Sequence, residues 1–247
     1  IDIIAIAICT IICGAEGWTD MENYGNSKVL WLKRVLELPN GIPSHDTFGR
    51  VFGRIDAEQF QKAFWEWVWA VNDIVQGQIV NIDGKCLRGS DEQRLGKRAI
   101  YMVSAWAAEN EIVLGQRKVD EKSNEITAIP ELLKILDLSG CIVTIDAMGT
   151  QTAIAKAIQE ADADYVLSVK ENQGHLFEDI SVLFGVDQEQ NFKYASLDYH
   201  KTVNKGHGRI EARECWSTSN PEYLNLIRNL HNWAGLKSIV MVVSTRI

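Results

Sequence analysis

The chain has 247 residues, 46% apolar and 23% charged, a composition that suits a soluble globular protein and excludes disordered, collagenous and coiled-coil chains. That length holds one large domain, or a compact domain with a smaller attachment. A net charge of −8 speaks against a protein that coats nucleic acid indiscriminately, while leaving room for a local basic groove.

The opening stretch, IDIIAIAICTIIC, is almost wholly apolar. It falls short of the roughly 20 residues that cross a bilayer and lacks a basic leader and a cleavage site. A buried helix is expected there, with no membrane association. From Lys28 to about Ile74 apolar residues recur at helical steps, and Phe60, Phe64, Trp67, Val68, Val71, Ile74 and Val75 read as a core stripe. Trp65, Trp67 and Trp69 are expected to pack beside that stripe rather than to stack on bases. Asp56 with Gln59 gives a helix start, and Ser44 can cap a short helix carrying Phe48, Val51 and Phe52. Residues 1–76 thus form an all-helical segment. Two short helices joined by a turn fit a DNA-binding helix-turn-helix as well as plain packing, and packing is the commoner use.

The pattern changes at Gln78. QIVNIDG reads as a strand ending at Asp83-Gly84; residues 99–107 and 111–119 read as two more, joined at Glu109-Asn110. Ile126 to Leu138 is helical, CIVTIDA (141–147) is a buried strand, and Thr150 to Ala161 is an Ala-rich helix. DYVLSVK (164–170) is a further strand, and a helix runs from about His175 to Phe184. The order β-β-β-α-β-α-β-α predicts an antiparallel meander continued by right-handed crossovers into one mixed sheet flanked by helices. After Gly185, NFKYASLDYHKTV and RIEARECWSTS look like a β insertion, and SIVMVVSTRI like a closing strand. The chain has no starting Met and stops inside an apolar run, so both ends read as cut.

Asp83 ends the first strand of this sheet and Asp146 ends the fourth. The fourth strand should lie parallel beside the first, because the meander occupies the other side, and this brings the two aspartates together. Adjacent carboxylates without nearby Cys or His suit Mg²⁺ or Mn²⁺, and the implied chemistry is metal-assisted phosphoryl transfer. Plainer readings exist: Asp-Gly after an apolar run is also a turn signal, and Asp146 before a helix can simply cap it. Five cysteines, Cys9, Cys13, Cys86, Cys141 and Cys215, form no Cys-x-x-Cys pair. An odd count without ligand spacing fits a reducing, cytoplasmic compartment. No phosphate loop, nucleophile elbow or zinc spacing appears, and His45, His175, His200 and His231 read as structural.

IDGKCLRGS around Asp83, TIDAMGTQ around Asp146, DYVLSVKENQ at 164–173 and GHGRIEAR at 206–213, with GIPSHDTFGRVFGRID upstream, resemble the bacterial insertion-sequence DDE transposases of the H-repeat-associated type. The likeness runs in order from about Gly41 to the end. It implies an RNase H-like fold with a β insertion, so residues 77–247 would be the catalytic domain, with the insertion from about 186. Asp83 and Asp146 fall on the first two catalytic acids, holding Mg²⁺ or Mn²⁺. The activity implied is cutting at element ends, freeing a 3′-hydroxyl that attacks target DNA in line, with no covalent protein intermediate.

The third acid is harder to place. Glu211 is one candidate, although it lies on a strand of the insertion. In relatives with such an insertion the Glu comes after it on a helix, in a His-Trp-x-x-Glu-Asn-like stretch that this chain lacks. The expectation is that this Glu was lost with the C-terminus and that the chain alone is inactive. A stand-alone nuclease would instead return Glu211 or Asp164 to the site, and a non-catalytic DNA-binding remnant would need neither.

Residues 85–98 and 193–213 are each net +3, as a phosphate-tracking groove needs. The first carries Lys85, Arg88, Arg94, Lys97 and Arg98, the second Lys193, Lys201, Lys205, Arg209 and Arg213. Solvated turns are the plain alternative. Lys85, Arg88, Lys170, Asn172, Gln173, His207 and Arg209 are the expected contacts to double-stranded DNA, with helix capping by Asn172 and a tight turn at His207 as the alternatives. The resemblance further suggests a homo-oligomer assembled on DNA and, in the cell, association with the nucleoid.

Overall fold

The computed structural model describes residues 1–71, 76–87, 100–119, 124–189, 197–206 and 208–246. The chain divides into two compact units, Ile1–Trp67 and Val68–Ile247. Among the described residues no helix is long and apolar enough to cross a membrane, and all five cysteines are free thiols.

The first unit contains α1 (Asp2–Ile12), α2 (Trp18–Ser27), α3 (Val29–Leu32), α4 (His45–Phe52) and most of α5 (Ala57–Val71). Ile6, Ala7, Met21, Leu32, Leu38 and Phe48 form its core. The buried helix expected at the N-terminus is present and is buried along one face. Ile6, Ala7 and Thr10 face inward, while Ile8, Ile11 and Ile12 stay exposed, because within this unit α2 covers one side of α1. Thr10 tolerates burial since its hydroxyl donates to the Ile6 carbonyl at 2.6 Å. The expected start of α5 is present: the Gln59 amide donates to Asp56 Oδ1 at 2.9 Å. Ser44 sits at the α4 N-cap without a side-chain bond to the backbone, its hydroxyl lying 3.2 Å from that of Thr47. The apolar stripe of α5 is longer than the face the fold covers: Val68 is buried, but Phe60 and Trp67 are exposed.

The second unit begins with β1 (Ile79–Cys86), β2 (Tyr101–Ala107) and β3 (Ile112–Lys118). It continues through α6 (Glu125–Leu133), β4 (Ile142–Ile145), α7 (Thr152–Glu160), β5 (Asp164–Leu167) and α8 (Gly174–Glu189). These strands form one sheet in the order β3-β2-β1-β4-β5. β1 is antiparallel to β2 and β2 to β3, whereas β4 runs parallel to β1 and β5 parallel to β4. This is the expected mixed sheet, with the fourth strand beside the first. One face of it is dry: Val80, Ile82, Val103, Ala105, Val143 and Ile145 are buried together with Ile129 and Leu132 of α6 and Ile154 and Ile158 of α7. Period-2 strands meet period-3.6 helices there, which is why the sequence reads as two alternating rhythms.

The helix expected over 126–138 starts one residue earlier and stops at Leu133. Its start is fixed by a reciprocal cap: Asn124 Oδ1 accepts from the Thr127 amide at 3.2 Å, and Thr127 Oγ1 from the Asn124 amide at 3.3 Å.

The β insertion is β6 (Asp198–Gly206) and β7 (Arg209–Thr218); after α9 (Pro221–Leu224), the closing strand β8 (Ile239–Arg246) pairs with β7. These three strands make a separate antiparallel sheet. Ile239 at its base packs with Ala155, Leu176, Phe184, Leu224, Ile227 and Trp233.

Candidate active site

The pairing between β1 and β4 stops at Ile82 and Ile145, while β1 itself does not end at Asp83-Gly84 as expected but runs on to Cys86, held there by β2. One step further along each strand stand Asp83 and Asp146. Because the strands are parallel, both carboxylates stand at the same end of the β1–β4 pairing, Asp83 still within β1 and Asp146 just beyond β4. One residue before Ile82 and Ile145, Thr144 Oγ1 donates to Asn81 Oδ1 at 2.5 Å. Strand alternation puts Asn81 on the face of Asp83, and Thr144 on that of Asp146, so this bond holds the register on which the carboxylates depend.

Asp146 also acts as a cap. Its Oδ1 accepts from the Met148 amide at 3.1 Å and from the Gly149 amide at 3.4 Å, closing a single 3₁₀ turn over Ala147–Gly149. Oδ2 has no hydrogen-bond partner among the described residues, so capping uses half of the carboxylate. Below the turn, the buried Thr150 hydroxyl donates to the Ser168 carbonyl at 2.5 Å, tying the exits of β4 and β5 together.

A third acid, unforeseen from the sequence, reaches this end of the pairing. Glu125 opens α6, and a Cβ on Gly84 would fall within its carboxyl group; Glu125 therefore lies over the residue next to Asp83. Burial first, then the negative charges of Asp146 and Asp83, pushes the Glu125 carboxyl above its ordinary value. A recognisable signal existed in the Asn124 cap, which places Glu125 at the first helical position. Among the described residues no three His, Cys, Asp or Glu side chains are arranged closely enough to grip an ion directly.

Lys85 comes two positions after Asp83 on the same face of β1 and is exposed. Beyond β5, Lys170 joins Asp146, Ile126, Met148 and Phe177 around an open cleft of about 770 Å³. Asn172 is committed internally, its Nδ2 donating to the Ala147 carbonyl at 2.6 Å; it joins two loops and does not cap a helix. The Gln173 amide donates to the Lys170 carbonyl at 2.9 Å. Arg209 is exposed at the start of β7, in the other sheet. Arg88 and His207 lie outside the described residues, as do Arg94, Lys97, Arg98 and Lys193.

The two alternatives weighed for the third acid both have cationic partners. Glu211 is paired with Arg213 at 2.9 Å and Arg246 at 3.1 Å in the three-stranded sheet, and Arg246 chiefly holds its carboxyl below the ordinary range. Asp164 opens β5 opposite Ile142, at the far end of the strands from Asp146, and is bound by Lys237 at 2.9 Å. Part of the cationic stretch is spent likewise: Lys201 pairs with Glu214 at 3.2 Å.

Residues 76–240 match the family described as Transposase DDE domain. The chain belongs to that family. Residues 1–68 match the DDE_Tnp_1-associated family, so the helical unit is a recurrent companion of the DDE domain. A putative transposase YncI of Escherichia coli O157:H7 is 43% identical over 246 residues, which are 99% of this chain and 62% of that protein. The H repeat-associated putative transposase YhhI of Escherichia coli K12 is 40% identical, over 99% of this chain and 64% of its own length. An uncharacterized protein in the dhlA 3′ region of Xanthobacter autotrophicus is 41% identical, over 99% of this chain and 81% of its own. The chain thus spans less than two thirds of YncI and YhhI. A chain of a simian T-cell lymphotropic virus intasome overlaps 62% of this chain and 54% of its own, at a TM-score of 0.30 and 9% identity, too slight a likeness to carry a conclusion.

Proposed function

We propose that this DDE transposase cuts and joins insertion-sequence ends in double-stranded DNA by metal-dependent phosphoryl transfer, with Asp83 and Asp146 as its first two catalytic acids. The observation that carries the reading is the parallel β1–β4 register, which delivers two carboxylates to one end of the pairing. Their all-oxygen donor set fits a hard divalent cation. Asp83 and Asp146 would hold it; bound there, Mg²⁺ or Mn²⁺ supplies Lewis-acid stabilisation of the scissile phosphate.

The protein's own part is binding and orientation. Asp146 is restrained by its two amide donors, and the Asn81–Thr144 bond keeps it level with Asp83. Lys85 and Lys170 flank the pair and neutralise phosphates of the bound strand, while Arg209 contacts the duplex from the three-stranded sheet. Asn172 supports the site by holding the loop after β4, and Gln173 offers its side chain beside Lys170. Assembly as a homo-oligomer on DNA in the bacterial cytoplasm completes the proposal. Glu211, already held by two arginines, has no role in catalysis in this scheme.

The test is Mg²⁺- or Mn²⁺-dependent cleavage of plasmid DNA by this chain and by the product of its full natural reading frame, each beside Asp83→Ala and Asp146→Ala. Metal-dependent nicking by the full product, lost in both variants, is the expected result. Cleavage that survives either substitution, or a full product with no activity, would overturn the assignment.

A further inference from the structure

We propose that Glu125 is a third carboxylate of this site, a positioning residue that strengthens the hold on a hydrated divalent cation from just outside direct ligation. The inference deepens the metal-dependent reading and rests on it.

The plain account of a Glu in the first turn of a helix is favourable interaction with the helix dipole. Three observations go beyond it. The α6 cap is already made by Asn124 and Thr127, so Glu125 is not needed to close it. Gly84, directly after Asp83, leaves the room that the Glu125 carboxyl fills, and any side chain there would collide with it. Lastly, the carboxyl lies within the field of both aspartates and has no hydrogen-bond or ion-pair partner among the described residues. Bringing a third acid against two others is unfavourable by itself and becomes favourable once a cation sits among them.

The three carboxylates are not spaced to chelate directly, which decides the mode. Mg²⁺ sheds water reluctantly and keeps several waters beside one or two carboxylate ligands. A nearby carboxylate then accepts hydrogen bonds from that shell, as outer-sphere partners of metal sites do.

Mn²⁺ affinity, measured by isothermal titration without DNA, separates this inference from its foundation. Glu125→Gln, nearly isosteric, should weaken Mn²⁺ binding roughly 10- to 100-fold, the usual range for loss of an outer-sphere partner. Gly84→Ala should weaken it too by displacing the same carboxyl. Asp83→Asn should weaken it more than either. Glu131→Gln removes a charge from the same helix at a residue paired with Arg117 at 2.6 Å, and should change nothing. Circular dichroism confirms that each variant is folded. Glu125→Gln within twofold of the parent, with Asp83→Asn still impaired, would overturn the role of Glu125 and leave the aspartate pair intact. A parent that does not bind Mn²⁺, or binds it equally well without Asp83, would overturn both.

Discussion

The five-stranded and three-stranded sheets use the same alternating backbone for opposite purposes. In the first, β1 and β4 bury Val80, Ile82, Val143 and Ile145 under α6 and α7, and Asp83 and Asp146 stand just past the last β1–β4 pair. In the second, β6 is exposed at every position, and cross-strand contacts such as Tyr199–Trp216, with ring centroids 5.2 Å apart, and Lys201–Glu214 do the holding. A sheet with one dry face has a rigidly specified register and can aim two carboxylates at one point. A sheet open to water can instead spread cations over a surface. The site belongs to the first kind of sheet for that reason.

The sharpest break between them should come from truncating core side chains. Leu132 is fully buried beneath the five-stranded sheet, and Leu132→Ala should cost about 2–5 kcal/mol in denaturant melts; a loss below about 1 kcal/mol would show that this face is loosely packed. Gly149→Ala probes the turn after Asp146, where a Cβ would strike Ile145 and approach Ile129 Cδ1 to 3.1 Å. Overpacking there should cost about 1–3 kcal/mol and lower any metal-dependent activity with it.

Acid should act on the other sheet. Glu211 and Glu214 are held below the ordinary 4.5, Glu211 chiefly by Arg246 and Glu214 chiefly by Tyr199. Depressed carboxylates contribute stability that is complete above their unfolded value and lost as pH falls through the folded one. Amide protection in β6–β8 should therefore decline below pH 4.5, and Glu211→Gln together with Glu214→Gln should flatten that decline. The smallest effect is expected at Val203, 61% exposed on β6: Val203→Ala should change stability by less than about 0.5 kcal/mol.

Much of this was legible in the sequence, and the rest was hidden for identifiable reasons. The strand order, with β4 parallel beside β1, came from periodicity and from the meander occupying the other side of β1. The extent of burial was not legible. α1 and the α5 stripe are apolar on more sides than their neighbours cover, and a sequence shows which side chains are apolar without showing which are covered. Glu125 escaped because its partner in space is a glycine 41 positions earlier, a juxtaposition made only when the start of α6 folds back to β1. The arginine that faces Glu211 was hidden in the same way, because Arg246 comes opposite it only when β8 pairs with β7.

The most direct measurement of the central claim is an anomalous difference map from crystals of this chain grown with Mn²⁺. A peak between the carboxylates of Asp83 and Asp146, with Glu125 beside it, is what the account predicts. A Mn²⁺ peak elsewhere, with the two aspartates turned away from each other and bound to protein donors, would contradict it.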